Sequence, residues 1–311
     1  MPWWRRRRRE TPSETPSEAP STNDARRLVQ LAAQCFAERG FEVVHDGQGT
    51  LVSNDGASFG LHNLAVVLRD VPHNRWPRVI DGHVEALVAA RTTAIPQSLA
   101  EAEDMLVGVL HAETDLAEGT PDYAPEVLPG IMLLAALDHP SHVSTLASDD
   151  SIADLGPWPV IEPVIRRNLL ALPTPTHRVV HGTDEQPNGD VHLLVSDDHF
   201  GASRVFVLHE MLASVLRVER PTHGVLVAVP NRHLVVVHVI EDAGVLGALQ
   251  LMVNVVRSQF EAEVGPVSPH LYYLPADDEA EQITSIEEER TTIEARGALG
   301  ETLRRLGVAP E

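Results

Sequence analysis

Gly224–Ile240, GVLVAVPNRHLVVVHVI, decides the reading of this chain. It holds two apolar, β-branched runs, Val225–Val229 and Leu234–Ile240, separated by Pro230-Asn231-Arg232-His233. A half-wet hairpin would alternate polar with apolar. Nearly continuous apolar runs instead predict two strands covered on both faces. Proline fixes φ and lacks a donor, and asparagine tolerates left-handed geometry, so residues 230–233 read as a turn. Such a turn carries a guanidinium and an imidazole to the rim of a buried sheet. That is where binding sites sit, and also where polar turn residues must go in any case.

Outward from this pair, helices and short strands follow one another without a parallel βαβ rhythm. The helix predicted before it spans Val205–Val218, and the one after it Ala243–Ala262, with Leu246, Leu249, Met252, Val253, Val256 and Phe260 as its apolar stripe. Ser268–Leu274 reads as a strand and Ile131–Leu137 as a buried one. Pro159–Leu172 reads as a helix with proline in its first turns. Nearer the start, Asn23-Asp24 caps a helix that Gly40 ends. Three short strands then lie between turns at Asp46-Gly47 and Asn54-Asp55-Gly56. Helices mixed with hairpins define an α+β fold with largely antiparallel sheets, and the helix-strand-strand-helix order at both places suggests two similar lobes. The expected division is a tail over 1–23, an N-terminal module over 24–98, a main domain over 99–283 and a charged helix within 284–311, predicted over Ser285–Leu306.

Composition excludes several chemistries. All 24 basic residues are arginine. Without lysine there is no P-loop and no Schiff base to pyridoxal phosphate. The single cysteine, Cys35, permits no internal disulfide and reads as a small buried hydrophobe; with no secretory signal, the chain reads as cytoplasmic. At a net charge of −21 the surface repels nucleic acid and favours a basic protein partner. The exception is the head, MPWWRRRRR, where Trp3, Trp4 and Arg5, Arg6, Arg7, Arg8 and Arg9 could touch an anionic membrane surface. The Pro/Ser/Thr/Glu tract behind it reads as a disordered tether, and no transmembrane segment is expected.

The motifs that could carry catalysis are incomplete. His209-Glu210 opens like a zinc-protease helix, but Ala213 stands where the second histidine belongs. His139 and His142 beside Asp138 have no fourth ligand at a suitable spacing, so no metal or other cofactor is expected. Gly201-Ala202-Ser203 lacks the second glycine of a nucleophile elbow, since Val205 occupies that place. The remaining ligand-binding candidates are Asn231, Arg232 and His233 in the central turn, with Asp197 and His199 in the loop before Gly201.

Asn63-Leu64 after Phe59-Gly60-Leu61, Asp138 closing an apolar strand, Asn168-Leu169, Val229-Pro230-Asn231-Arg232 and Ser268-Pro269-His270-Leu271-Tyr272-Tyr273 occur in an order that resembles the YtpQ-like family of bacterial proteins. The resemblance runs from about Asp24 to Ile283. It implies a cytoplasmic α+β protein and no particular reaction. Where that family tends to place an acid after the Pro-Asn-Arg segment, this chain has His233.

Two functions follow as expectations. One is a non-enzymatic binding or adaptor protein, faintly like secretion chaperones in its small modules. The other is an enzyme or small-anion binder in which Arg232 clamps an anionic group and His233 or His199 serves as acid or base. Convergence of Asn231, Arg232, Asp197 and His199 on one pocket would favour the second.

Overall fold

The computed structural model describes residues 22–308 apart from 48, 95, 117–118, 183–188, 277–278 and 289. The aromatic and arginine head at residues 3–9 lies outside the described residues. The fold is α+β, and every strand pairing recorded in its sheets is antiparallel. It divides into two compact units, Met1–Ile95 with His139–Ser144, and Pro96–Asp138 with Thr145–Glu311. Among the described residues no helix is long and apolar enough to cross a membrane.

The first unit is built on α1 (Thr22–Glu38), which stops because Gly40 adopts φ +83°. Phe41 N–H then donates to Phe36 O and Gly40 N–H to Ala37 O, satisfying carbonyls the helix leaves open. Strands β1 (Val43–His45), β2 (Thr50–Ser53) and β3 (Ser58–Gly60) form a meander. Its inner residues Leu51 and Phe59 meet Phe36, Leu64, Trp76 and Ile80 from α1, α2 (His62–Leu68) and α3 (Trp76–Thr92). Cys35 is buried in this core, as its helical position predicts.

The second unit explains the apolar runs. Strands β10 (Val225–Asn231) and β11 (Leu234–Val239) sit at the centre of a six-stranded sheet. Its outer members are β8 (Thr176–Val180), β9 (Val191–Val195), β12 (Tyr272–Leu274) and β13 (Glu281–Gln282), in the order β13-β12-β10-β11-β9-β8. Val225, Val227, Val229, Val235 and Val237 enter one core with Leu133 and with Leu208 and Leu212. Leu226, Ala228, Leu234 and Val236 enter another, against Leu249, Met252 and Val256 of α8 (Val245–Ala262). Each face has its own cover, so neither strand can afford polar alternation. Leu246, predicted for the inward stripe of α8, is instead 39% exposed.

On the first face lies a smaller sheet of β4 (Leu106–Ala112), β6 (Ile131–Asp138) and β5 (Glu126–Leu128). Helix α6 (Trp158–Ala171) packs against this sheet at Gly108, where an added Cβ would stand 3.1 Å from Ile165 Cγ2. The short helices α4 (Leu99–Ala102) and α5 (Asp149–Ile152) complete this unit, and the short strand β7 (Val143–Thr145) falls at the boundary of the first unit's second segment.

Three expectations need correction. The helix predicted over Val205–Val218 is a composite: a 3₁₀ turn at Ala202–Val207, one α-turn, α7 (Leu208–Met211), and a π-turn at Leu212–Leu216 that ends on Arg217 at φ +63°. The predicted charged helix over Ser285–Leu306 is instead a hairpin, β14 (Thr284–Glu287) with β15 (Arg290–Ile293), followed by α9 (Gly297–Arg305). Its β-branched residues Ile286, Thr291, Thr292 and Ile293 outweigh the helical preference of the Glu/Arg mixture. This segment is no separate appendage, because Leu299 and Leu303 belong to the core beneath α8. The carboxylate of Glu281 accepts from the N–H groups of Ala298 and Leu299 and caps α9. Finally, the two units are not copies of one lobe: a three-stranded meander differs from a six-stranded sheet carrying a second sheet on one face.

Candidate functional site

The β10–β11 connection is tighter than the sequence suggests. Pro230 and Asn231 belong to the strand, and only Arg232 and His233 form the turn. The pairing register shifts between Ala228 and Asn231, a bulge at which Pro230 needs no donor. Its carbonyl accepts from Val267 N–H, and Arg232 N–H donates to Gly265 O at 2.8 Å, so residues 265–268 brace the bulge. Asn231 is 1% exposed. Its Oδ1 accepts from His233 N–H at 3.0 Å and its Nδ2 donates to Gln259 O at 3.3 Å. One end of the amide bonds within the turn and the other ties it to α8.

The loop 196–204 docks against the other side of the turn. Ser196 N–H donates to His233 O at 2.8 Å, and Ala202 N–H to Arg232 O at 3.0 Å. Gly201 permits this approach, since an added Cβ would lie 2.6 Å from the His233 carbonyl carbon and oxygen. Beneath the loop, Arg204 is 2% exposed. Its Nη1 donates to Ser196 Oγ at 2.8 Å and Asp198 Oδ1 at 3.1 Å, and its Nη2 to Asp198 Oδ2 and Pro173 O, both at 2.9 Å. This is a bidentate buried ion pair. Nothing in the sequence marks Arg204 apart from other arginines. The adjacent aspartates are equally indistinguishable there, yet Asp198 turns inward while Asp197 is exposed and takes no part in the network. Asp197, the ligand-binding candidate, is thus exposed beside the turn, and Asp198 is the aspartate bonded to it.

Arg232, His233 and His199 do come together. Arg232 Nε donates to His233 Nε2 at 3.1 Å, and His233 Nδ1 lies 2.7 Å from Asp198 O. A guanidinium nitrogen can only donate, so Nε2 is the acceptor and Nδ1 carries the proton. The chain of bonds from Arg232 through His233 to the Asp198 carbonyl thus fixes one neutral tautomer. Burial, followed by the charge of Arg232, holds His233 below its ordinary range. The His199 ring stands 5.8 Å from that of His233. Burial, then Arg232, then His233 push His199 down to about 3. Burial alone lowers Arg232 to about 10, which leaves it charged at neutral pH.

Histidines elsewhere follow the same logic. His177 Nε2 and His192 Nδ1 are 3.0 Å apart across β8 and β9, and His238, 2% exposed, meets Asp190 O through Nδ1 at 2.7 Å. The rings of His139 and His142 stack at 4.6 Å. Among the described residues no group of three or more His, Cys, Asp or Glu is placed to hold a metal ion. Two open depressions occur away from the turn, one at Glu287, Glu288, Arg290 and Thr292 and the other around Glu281, Glu294 and Arg296.

The depressed histidines make stability pH-dependent. Each has a folded pKa below its ordinary 6.5, so between the two values the unfolded chain binds more protons than the folded one. Stability is complete above 6.5 and falls as pH drops, for His199 through a window reaching down to about 3. Replacing His199 with Gln is expected to flatten that slope by up to about 1.4 kcal/mol per pH unit. Urea denaturation of both proteins at a series of pH values below neutrality checks this, and parallel slopes would refute it.

No family model, no curated protein and no solved structure matches this chain.

Proposed function

We propose that this chain is a non-enzymatic binding or adaptor protein of the cytoplasm. The observation that carries the reading is the state of the imidazoles at the central turn. His233 is bonded at both ring nitrogens within the fold, and His199 is held at about 3. A neutral imidazole with so low a pKa has no imidazolium proton to give up at neutral pH and is a feeble base. That disfavours the alternative, an enzyme using these groups as acid and base. The net charge of −21 favours a partner with a basic surface or segment. Membership of the YtpQ-like family belongs to the same proposal and rests on the residues quoted above.

The test is affinity capture from native extract with the full chain, a chain lacking residues 1–21, and Arg232→Ala. A protein retained at a stoichiometric ratio by the full chain, and binding it again when purified, is the expected result. A co-purifying small molecule that the full chain chemically converts, with no protein partner, would overturn it. The truncated chain assigns any contribution of the head. In this proposal residues 3–9 add a weak contact with anionic membrane.

A further inference from the structure

We infer that the Arg232 guanidinium is the receptor for a small oxyanion, a phosphate or a carboxylate, at the rim of the central sheet. Several arginines in the body are matched by carboxylates: Arg204 by Asp198, Arg166 by Glu210, Arg39 by Asp81 and Arg91 by Asp55. Arg232 is not, although burial lowers it to about 10. Its hydrogen-bonding partner is the neutral His233 ring, and among the described residues no carboxylate forms an ion pair with it. A guanidinium partly withdrawn from water without a counter-charge is the group that gains most from an anion.

The geometry holds the group ready. The Nε–H is committed to His233, which points that edge of the fork inward. Gly265 gives the side chain its seat: an added Cβ would come within 2.7 Å of Arg232 Cδ. Backbone bonds from Arg232 N–H to Gly265 O and from Ala202 N–H to Arg232 O anchor the residue from both sides. The two Nη groups are left to meet a ligand that presents two oxygens. His199, 5.8 Å from His233, supplies a polar wall that carries no opposing charge near neutral pH.

Asp198 does not pre-empt the site, because both its oxygens are bound to Arg204. The acidic body as a whole opposes the approach of any anion. That repulsion is screened over about 8 Å at physiological salt, whereas contact with the guanidinium is not. The expected affinity is accordingly modest, and binding should strengthen as bulk salt rises from very low values before competition sets in.

This inference goes beyond the adaptor reading and can fail independently of it. The full chain is titrated with inorganic phosphate and separately with acetate, each against chloride at matched ionic strength, by calorimetry and by backbone amide shifts. Saturable binding is expected for at least one of the two, with the largest shifts at Gly201, Ala202 and Gly265. Arg232→Gln should weaken it roughly tenfold or more, while Arg178→Gln, on an exposed strand position, should leave it unchanged. The two arms decide between a phosphoryl and a carboxylate ligand. Lack of saturation in both, shifts centred elsewhere, or equal binding by Arg232→Gln would overturn the inference. If Arg232→Gln fails to fold, the shift map of the unaltered chain still decides. Capture of a protein partner by Arg232→Ala as well as by the full chain would leave the adaptor reading standing without the site.

Discussion

Asp198→Ala is expected to destabilise the second unit by about 3–5 kcal/mol. The loss comes less from the ion pair itself than from what remains. Arg204 is 2% exposed and would keep only Ser196 Oγ and the Pro173 carbonyl, with its charge unmatched. The Phe200 N–H would also lose its acceptor, Asp198 Oδ1. Urea denaturation followed at Trp158, in the second unit, measures the change. The double replacement Asp198→Ala with Arg204→Met separates the causes. Removing both charges should recover much of the stability, because an apolar side chain of similar length costs little where the pair once was. If the double variant is as unstable as the single one, an unmatched charge is not the reason.

Leu303→Ala is expected to cost about 2–5 kcal/mol. Leu303 is 2% exposed and shares a core with Met252, Val256 and Tyr273. Next to it Thr302 is fully buried, with its hydroxyl 2.9 Å from the Tyr273 hydroxyl, so the surroundings have little freedom to close over a void. A helix lying on the surface, as the charged sequence of this region suggests, would lose no more than about 0.5 kcal/mol. The two outcomes are far apart, and a single denaturation curve distinguishes them.

What was legible in the sequence was set by short-range pattern. Val225–Val229 and Leu234–Ile240 announce strands covered on both sides because apolar continuity is a direct consequence of two covers. Gly40 ends α1 because no other residue takes φ +83° so readily. The misses arise where the deciding contact is distant in sequence. Asp198 rather than Asp197 meets Arg204 because the loop is oriented by bonds to His233 and Arg232, more than thirty residues beyond. The 3₁₀, α and π turns over 202–216 share one apolar spacing, so periodicity alone cannot divide them. At the candidate site, Arg232, His233 and His199 were identifiable as polar residues flanking apolar strands. The tautomer and the missing carboxylate were not, since both depend on where the loop 196–204 folds back.

The place of α9 in the chain also orders events during synthesis. A ribosome releases the residues of the first unit, through Ser144, well before Gly297–Arg305 emerges. One face of the six-stranded sheet, with Leu226, Ala228 and Val236, is covered by α8 and completed only by α9. At about 5–20 residues per second, that face waits several seconds after β10 has left the exit tunnel. A nascent chain interrupted before Gly297 would hold a finished first unit beside an unsealed second one, and proteases should recognise the difference.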